Sequence, residues 1–326
     1  MERGRELTTS MLDKPVFVLG SFVLACTAKV VRFPCPGESM AAADVTIEPG
    51  GKGLNQAIMA RRLGAAVDGL LAVGDDMAAA FALPALARAD LPATMLLNIP
   101  GRTGAGVGFI DMAGETCLAI APAANLRLSS AHLREKAQAI EGAALVTAQF
   151  EIADDPIREA FALARRAGVP TLLNPSPFRP IPDDILAGTT ILVVNETEAG
   201  GLATAMELPR EDAATPQRFL ATLGPAILER GPRFVVLTRG AAGAIAISAE
   251  EPPVMQPGFP VDAIDTLGAG DAFSTTLGVR LAEGWPLARA MRDAAAAGAL
   301  TTTRPGVFEA LPTVADIAAL SQTRLA

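Results

Sequence analysis

Short, almost wholly apolar runs alternate along this sequence with longer stretches of helical spacing. Residues 15–20 (PVFVLG) read as a buried strand, as do 67–73, 144–147, 169–173, 190–194, 234–238 and 244–247. Between most of them lie helical patterns. The first, 53–63, carries Leu54, Ile58 and Leu63 on one stripe and stops at Gly64; others cover 77–88, 155–167, the stretch after Asn195, and 216–229. Strands apolar on both faces need helices over both faces. The pattern therefore predicts a mainly parallel sheet between two helical layers, a three-layer α/β/α fold. Ala-rich helices follow at 270–283 and 286–300, with a shorter one from Val314. Two stretches break the rhythm. Residues 22–48 and 103–122 hold short β-like pieces, several Gly and Pro, and no helix. They are predicted to form a small sheet, a lid, beyond the strand ends. Residues 15–326 read as a single domain behind a polar leader of residues 1–14, since no repeat, linker or shift in composition marks a second.

Composition matters here mostly through what is scarce. Half of the 326 residues are apolar and 19% are charged, enough for a large core. No apolar run reaches the roughly 20 residues of a spanning helix. The opening MERGRE has no apolar stretch behind its charges and does not read as a signal peptide. A net charge of −8 argues against nucleic acid or an anionic membrane as the main partner. There is one His and no Tyr, so a Ser-His-Asp or Cys-His hydrolase would depend on His132. That residue reads instead as part of the capped first turn of a surface helix. Cys26, Cys35 and Cys117 lack CxxC spacing, make a poor zinc set with one His, and read as small buried apolar side chains. Their odd, sparse count suits a reducing cytoplasm. Proton chemistry then falls to carboxylates or to the four lysines, Lys14, Lys29, Lys52 and Lys136.

Two motifs stand out. PGGKGLNQA at 49–57 is a Gly-rich turn opening a helix, where backbone N–H groups and a polar side chain can approach a ligand. It is neither a Walker A loop nor a GxGxxG fingerprint, and a plain strand-to-helix turn explains it about as well. DTLGAGDAF at 265–273 leads into the next helix. Successive N–H groups there form an anion hole for a phosphate or developing negative charge. Asp271, in the first helical turn, is placed to take a proton from an attacking hydroxyl, and Asp265 to hold the turn or a cation. The bland alternative is a capped helix start, with Asp271 complementing the helix dipole.

Taken together, DTLGAGD and GGKGLNQA resemble the C-terminal and N-terminal signatures of the ribokinase-like, or PfkB, carbohydrate kinases. The likeness continues through Gly20-Ser21, Pro36-Gly37-Glu38, 174–177 (NPSP), 195–198 (NETE), 238–240 (TRG) and 303–306 (TRPG), in the family's order. Within the family it runs closest to the ribokinases. The resemblance implies a ribokinase-like α/β/α kinase with a β-lid, using ATP, Mg2+ and a monovalent cation, K+, on a sugar or nucleoside. It implies Asp271 as general base, with Gly268, Ala269 and Gly270 as the anion hole. Gly51, Lys52, Asn55 and Glu151 match sugar-contacting positions. Asn195 and Glu198 match the pair that organises magnesium and the phosphates, and Thr238, Gly240 and Gly243 the nucleotide loop. Asp265, Leu267, Thr301, Arg304, Gly306 and Ala310 match the potassium loop. Two departures stand out. Where ribokinases carry an Asn and a sugar-gripping Asp after Gly-Ser, this chain has Val23 and Ala25, and Ala295 replaces an adenine-contacting Asn or His. The first departure predicts weak binding of D-ribose, unless Thr27 or a partner subunit fills the gap. The apolar lid face predicts a homodimer through the lids. The alternatives are a nucleoside kinase of the same family, or an idle sugar- or nucleotide-binding protein on the same scaffold.

Overall fold

The computed structural model describes residues 12–112 and 116–323; most of the polar leader, residues 1–11, lies outside them. Nine strands of the described residues form the central sheet: β1 (Val16–Ser21), β4 (Val67–Val73), β5 (Leu96–Asn98), β8 (Leu145–Gln149), β9 (Thr171–Asn174), β10 (Ile191–Asn195), β11 (Phe234–Thr238), β12 (Ala244–Ser248) and β13 (Val254–Gln256). Their order is β13-β12-β11-β10-β9-β8-β1-β4-β5, parallel except where β12 pairs with β11 and β13. Four further strands, β2 (Val23–Lys29), β3 (Asp44–Gly50), β6 (Gly104–Ile110) and β7 (Thr116–Ala121), make a separate sheet in the order β3-β2-β6-β7. This is the expected lid. One of its pairs, β2 with β6, is parallel.

Alternation along each central strand explains the two helical layers. Val16 and Val18 of β1 enter one core, shared with α1 (Lys52–Arg62), α6 (Ala269–Ala282) and α7 (Leu287–Thr301). Phe17 and Leu19 enter the other, shared with α4 (Asp154–Arg166) and α5 (Glu196–Ala205). Successive side chains of a strand point to opposite faces, so a strand in the middle layer must be apolar throughout.

Several expectations need correcting. The stretch 77–88 is a 3₁₀ turn, Met77–Phe81, followed by α2 (Ala82–Arg88). Residues 216–229 contain a widened turn at Phe219–Leu223 rather than a continuous helix, where Gly224 and Pro225 weaken the regular ladder. The cysteines are not buried: Cys26 is half-buried, and Cys35 and Cys117 are exposed. All three belong to the lid region, which is one sheet thick and has no second layer to cover them. His132 lies in α3 (Ser130–Glu135), where its Nδ1 accepts from the Ser129 backbone amide in a capping box, as the surface-helix reading expected.

Candidate active site

The carboxyl ends of the parallel strands converge under the lid, the usual place for a ligand in an open α/β sheet. Ser21 closes β1 and Glu151 follows β8. The Ser21 hydroxyl donates to Glu151 Oε2, and the Lys52 amide donates to the same oxygen at 2.9 Å. Glu151 thereby fixes the Gly50–Lys52 turn. Gly51 takes φ 98°, and a Cβ there would lie 2.9 Å from Ser21 O and Val23 N. Only glycine fits.

Asp271 sits in the first turn of α6, 3% exposed. Asn55 of α1 donates from Nδ2 to its Oδ2 at 2.8 Å, and Lys52 Nζ stands 3.8 Å from Oδ1. Burial pushes the Asp271 carboxyl above its ordinary range, against the pull of Lys52 and Asn55. Burial also works against the charge on Lys52, but Asp271, Glu151 and Glu198 outweigh it and hold the ammonium above an ordinary lysine. Asp271 Oδ1 and Asn55 Oδ1 are buried without a hydrogen-bond partner. Unpaired buried oxygens of this kind call for a donor, and a ligand hydroxyl supplies one. Gly268, the N-cap of α6, has φ 77°, and Ala269, Gly270 and Asp271 follow as the first helical residues. Their amides include ones that no turn of the helix can satisfy, so an anion is favoured there.

Beside this helix start opens a cavity of about 590 Å³. Thr238, Gly240, Gly243, Ala269, Gly270 and Ala295 all line it, as does Phe259. Most of the residues lining it are small, and Ala269 and Gly270 bring the start of α6 to its wall. Asn195 and Glu198 form a capping box on α5: the Glu198 amide donates to Asn195 Oδ1 at 2.8 Å and the Asn195 amide to Glu198 Oε2 at 2.9 Å. Burial raises the Glu198 carboxyl above its usual range. Among the described residues no three His, Cys, Asp or Glu side chains converge as a metal cluster.

Asp265 ties two loops together. Its Oδ1 accepts from the Leu267 amide at 2.9 Å and its Oδ2 from the Gly306 amide at 3.0 Å. Thr301 is buried at the end of α7, its hydroxyl donating to Ala297 O. Arg304 is exposed and acts electrostatically on Arg62 and Asp316, while Ala310 is buried nearby. The motif residues thus gather as three groups: Gly51, Lys52, Asn55, Glu151 and Asp271 around one cleft, Thr238, Gly240 and Gly243 around the cavity, and the Asp265 loop against Gly268 through Val307. Phe259 was missed; no spacing in the sequence distinguishes its loop from any other.

An acid beside unsatisfied helix amides, with a nucleotide-sized slot behind them, defines a kinase that phosphorylates a hydroxyl. The model of the pfkB family carbohydrate kinases matches residues 13–314, and the chain belongs to that family. A ribokinase of Haemophilus influenzae is 31% identical over 304 residues, spanning 93% of this chain and 96% of the relative. A deoxyribokinase of Salmonella typhi is 27% identical over 302 residues, spanning 92% and 96%. The solved structure of Arabidopsis thaliana ribokinase complexed with ribose and ATP superimposes with a TM-score of 0.85 at 25% identity, spanning 96% of this chain and all of that one. The chain is an ATP-dependent sugar kinase of the ribokinase fold.

Proposed function

We propose that the acceptor is the primary hydroxyl of a pentose of the ribose or deoxyribose class and that Asp271 is the general base. The observation that carries this reading is Asp271 Oδ1 at the start of α6, buried without a hydrogen bond and 3.8 Å from Lys52 Nζ. The hydroxyl donates to Oδ1; as its oxygen attacks the terminal phosphorus of ATP, the bond from that phosphorus to the β,γ-bridging oxygen breaks, ADP leaves with that electron pair, and the hydroxyl proton passes to Asp271. Lys52 and the amides around Gly268–Gly270 take up the negative charge that grows on the transferring group. Glu151 and Asn55 hold the sugar so that the attacking oxygen is in line. Magnesium bound with the nucleotide would neutralise phosphate charge, with Asn195 and Glu198 nearest to it. An idle binding protein would have no use for a buried carboxylate that keeps one oxygen free of hydrogen bonds at this point.

Three further readings belong here. A monovalent cation, potassium, would seat between the loops that Asp265 joins, beside Leu267, Thr301 and Gly306. The apolar outer face of the lid supports a homodimer. Free thiols on Cys35 and Cys117 suit a reducing cytoplasm, and among the described residues no helix is long and apolar enough to cross a membrane. The decisive test is ADP release in the presence of ATP and Mg2+, over D-ribose, 2-deoxy-D-ribose, hexoses and nucleosides, in potassium and in sodium buffers. Turnover of a pentose in preference to the rest is expected; no turnover of any sugar would overturn the reading.

A further inference from the structure

The lid register brings a carboxylate to a place where sequence order alone does not put one. Directly paired strand residues point to the same side of a sheet. Ala25 of β2 pairs with Glu48 of β3 on one side and with Gly106 of β6 on the other, and Gly106 pairs with Ile120 of β7. These four form one row across one face of the lid. A Cβ built on Gly106 would meet Val23 Cγ1 at 3.6 Å and Ile120 Cγ1 at 3.7 Å, so Val23 and Ile120 share that face.

The same face is the one turned to the body of the molecule, since Val23 on it is 3% exposed. The atoms nearest a Cβ built on Gly306 all belong to the Glu48 carboxylate, with Oε2 at 2.9 Å. The Gly306 amide donates to Asp265, and its neighbour Val307 packs on Gly268, the N-cap of α6. Glu48 therefore hangs from the lid beside the loop that abuts the start of α6, four residues before Lys52. Its row is otherwise apolar: Ala25, Gly106 and Ile120. A sugar whose primary hydroxyl rests on Asp271 turns its remaining hydroxyls toward the lid, and a carboxylate accepts from two adjacent hydroxyls at once.

Building on the sugar-kinase reading above, we propose that Glu48 is the lid residue that binds the sugar's remaining hydroxyls and sets the preference for a polyhydroxylated acceptor. Cross-strand Cβ atoms are about 4.5–5.5 Å apart, and the extra methylene of a glutamate helps its carboxylate reach over the space above Ala25. The weak binding of D-ribose expected from Ala25 alone then gives way: the acid is present, one strand over.

Steady-state kinetics on D-ribose test this with wild type, Glu48→Ala, Ala25→Asp and the Ala25→Asp/Glu48→Ala exchange. Glu48 is exposed, so these variants should fold, and their Tm values check that. Wild type should show a KM in the ordinary enzyme range. Glu48→Ala should raise KM about ten- to 100-fold with kcat within about threefold, the loss of a charge-assisted contact. The exchange should recover most of that loss, because it returns one carboxylate to the same row. Ala25→Asp alone sets two like charges opposite each other and should not improve KM. If Glu48→Ala leaves KM within twofold of wild type on every sugar that wild type accepts, or if Ala25→Asp alone lowers it, the assignment is overturned while the kinase reading stands. Absence of turnover by wild type on any sugar would overturn the kinase reading first, and this assignment with it.

Discussion

At the scale of single residues, the site depends on one acid being both buried and chargeable. Asp271→Ala should lower kcat by about 10²–10⁴-fold and leave nucleotide affinity nearly unchanged, because the nucleotide cavity is lined by other residues. Activity within threefold of wild type would remove Asp271 from the mechanism. The pH profile carries a second test. A general base must be ionised, so kcat/KM should rise with pH through an apparent pKa above that of an ordinary aspartate, in the direction burial pushes Asp271. Lys52 acts in the opposite sense by favouring the carboxylate. Lys52→Met should therefore move the acid limb to higher pH as well as lower kcat. A limb that stays in place or moves down would mean that Lys52 does not act on the base. Asp271, Lys52 and Asn55 were legible in the sequence through the two Gly-rich motifs, and Glu151 only through the family resemblance. Their mutual bonds were not, because Asn55 and Asp271 lie 216 positions apart. Glu48 was illegible for a different reason: its relation to Ala25 is a matter of strand register, and a one-residue slip would have turned it to the opposite face.

At the scale of elements, the critical object is the first turn of α6. Gly268 holds φ 77° there, and an added Cβ would lie 2.9 Å from Val307 Cγ1. Gly268→Ala should cost about 1–2 kcal/mol for the left-handed backbone. It should also lower kcat more than it raises KM for the sugar, since the amides that meet the transition-state charge would be displaced. A variant with lower Tm but unchanged kcat would show that the turn is structural only. Most elements of this layer were legible because the central strands are buried on both faces and helices such as α4 carry an apolar stripe, although α6 is buried at every position from Asp271 to Arg280. Those that were not have physical reasons. β5 and β13 are three residues each, edge strands too short to show a period. The widened turn at Phe219–Leu223 leaves the apolar spacing nearly helical. The cysteines were misjudged because their buried reading assumed a second layer that the lid lacks.

At the scale of the whole molecule, the lid is a sheet with one face toward the site and the other toward solvent. On the outer face, Ile47, Cys26, Val107 and Ala119 form a row in register, and Val45 lies one step along. Ile47 and Val45 are each 55% exposed and Val107 57%. The strands β3 and β7 add two free edges, a liability that proteins usually cover. Pairing two lids face to face would bury this row against its own copy, the self-complementary arrangement of a two-fold interface. Light scattering at micromolar concentration should therefore report a dimer. Ile47→Asp combined with Val107→Asp should convert it to a monomer, because burying unpaired carboxylates in an apolar interface is strongly unfavourable. Both positions face away from Asp271, so loss of the dimer would report on the lid and not on the base. A wild-type monomer would overturn lid-to-lid pairing and leave the kinase chemistry untouched. Activity that survives in the monomeric variant would show that each subunit completes its own sugar site, with Glu48 supplied from the same chain.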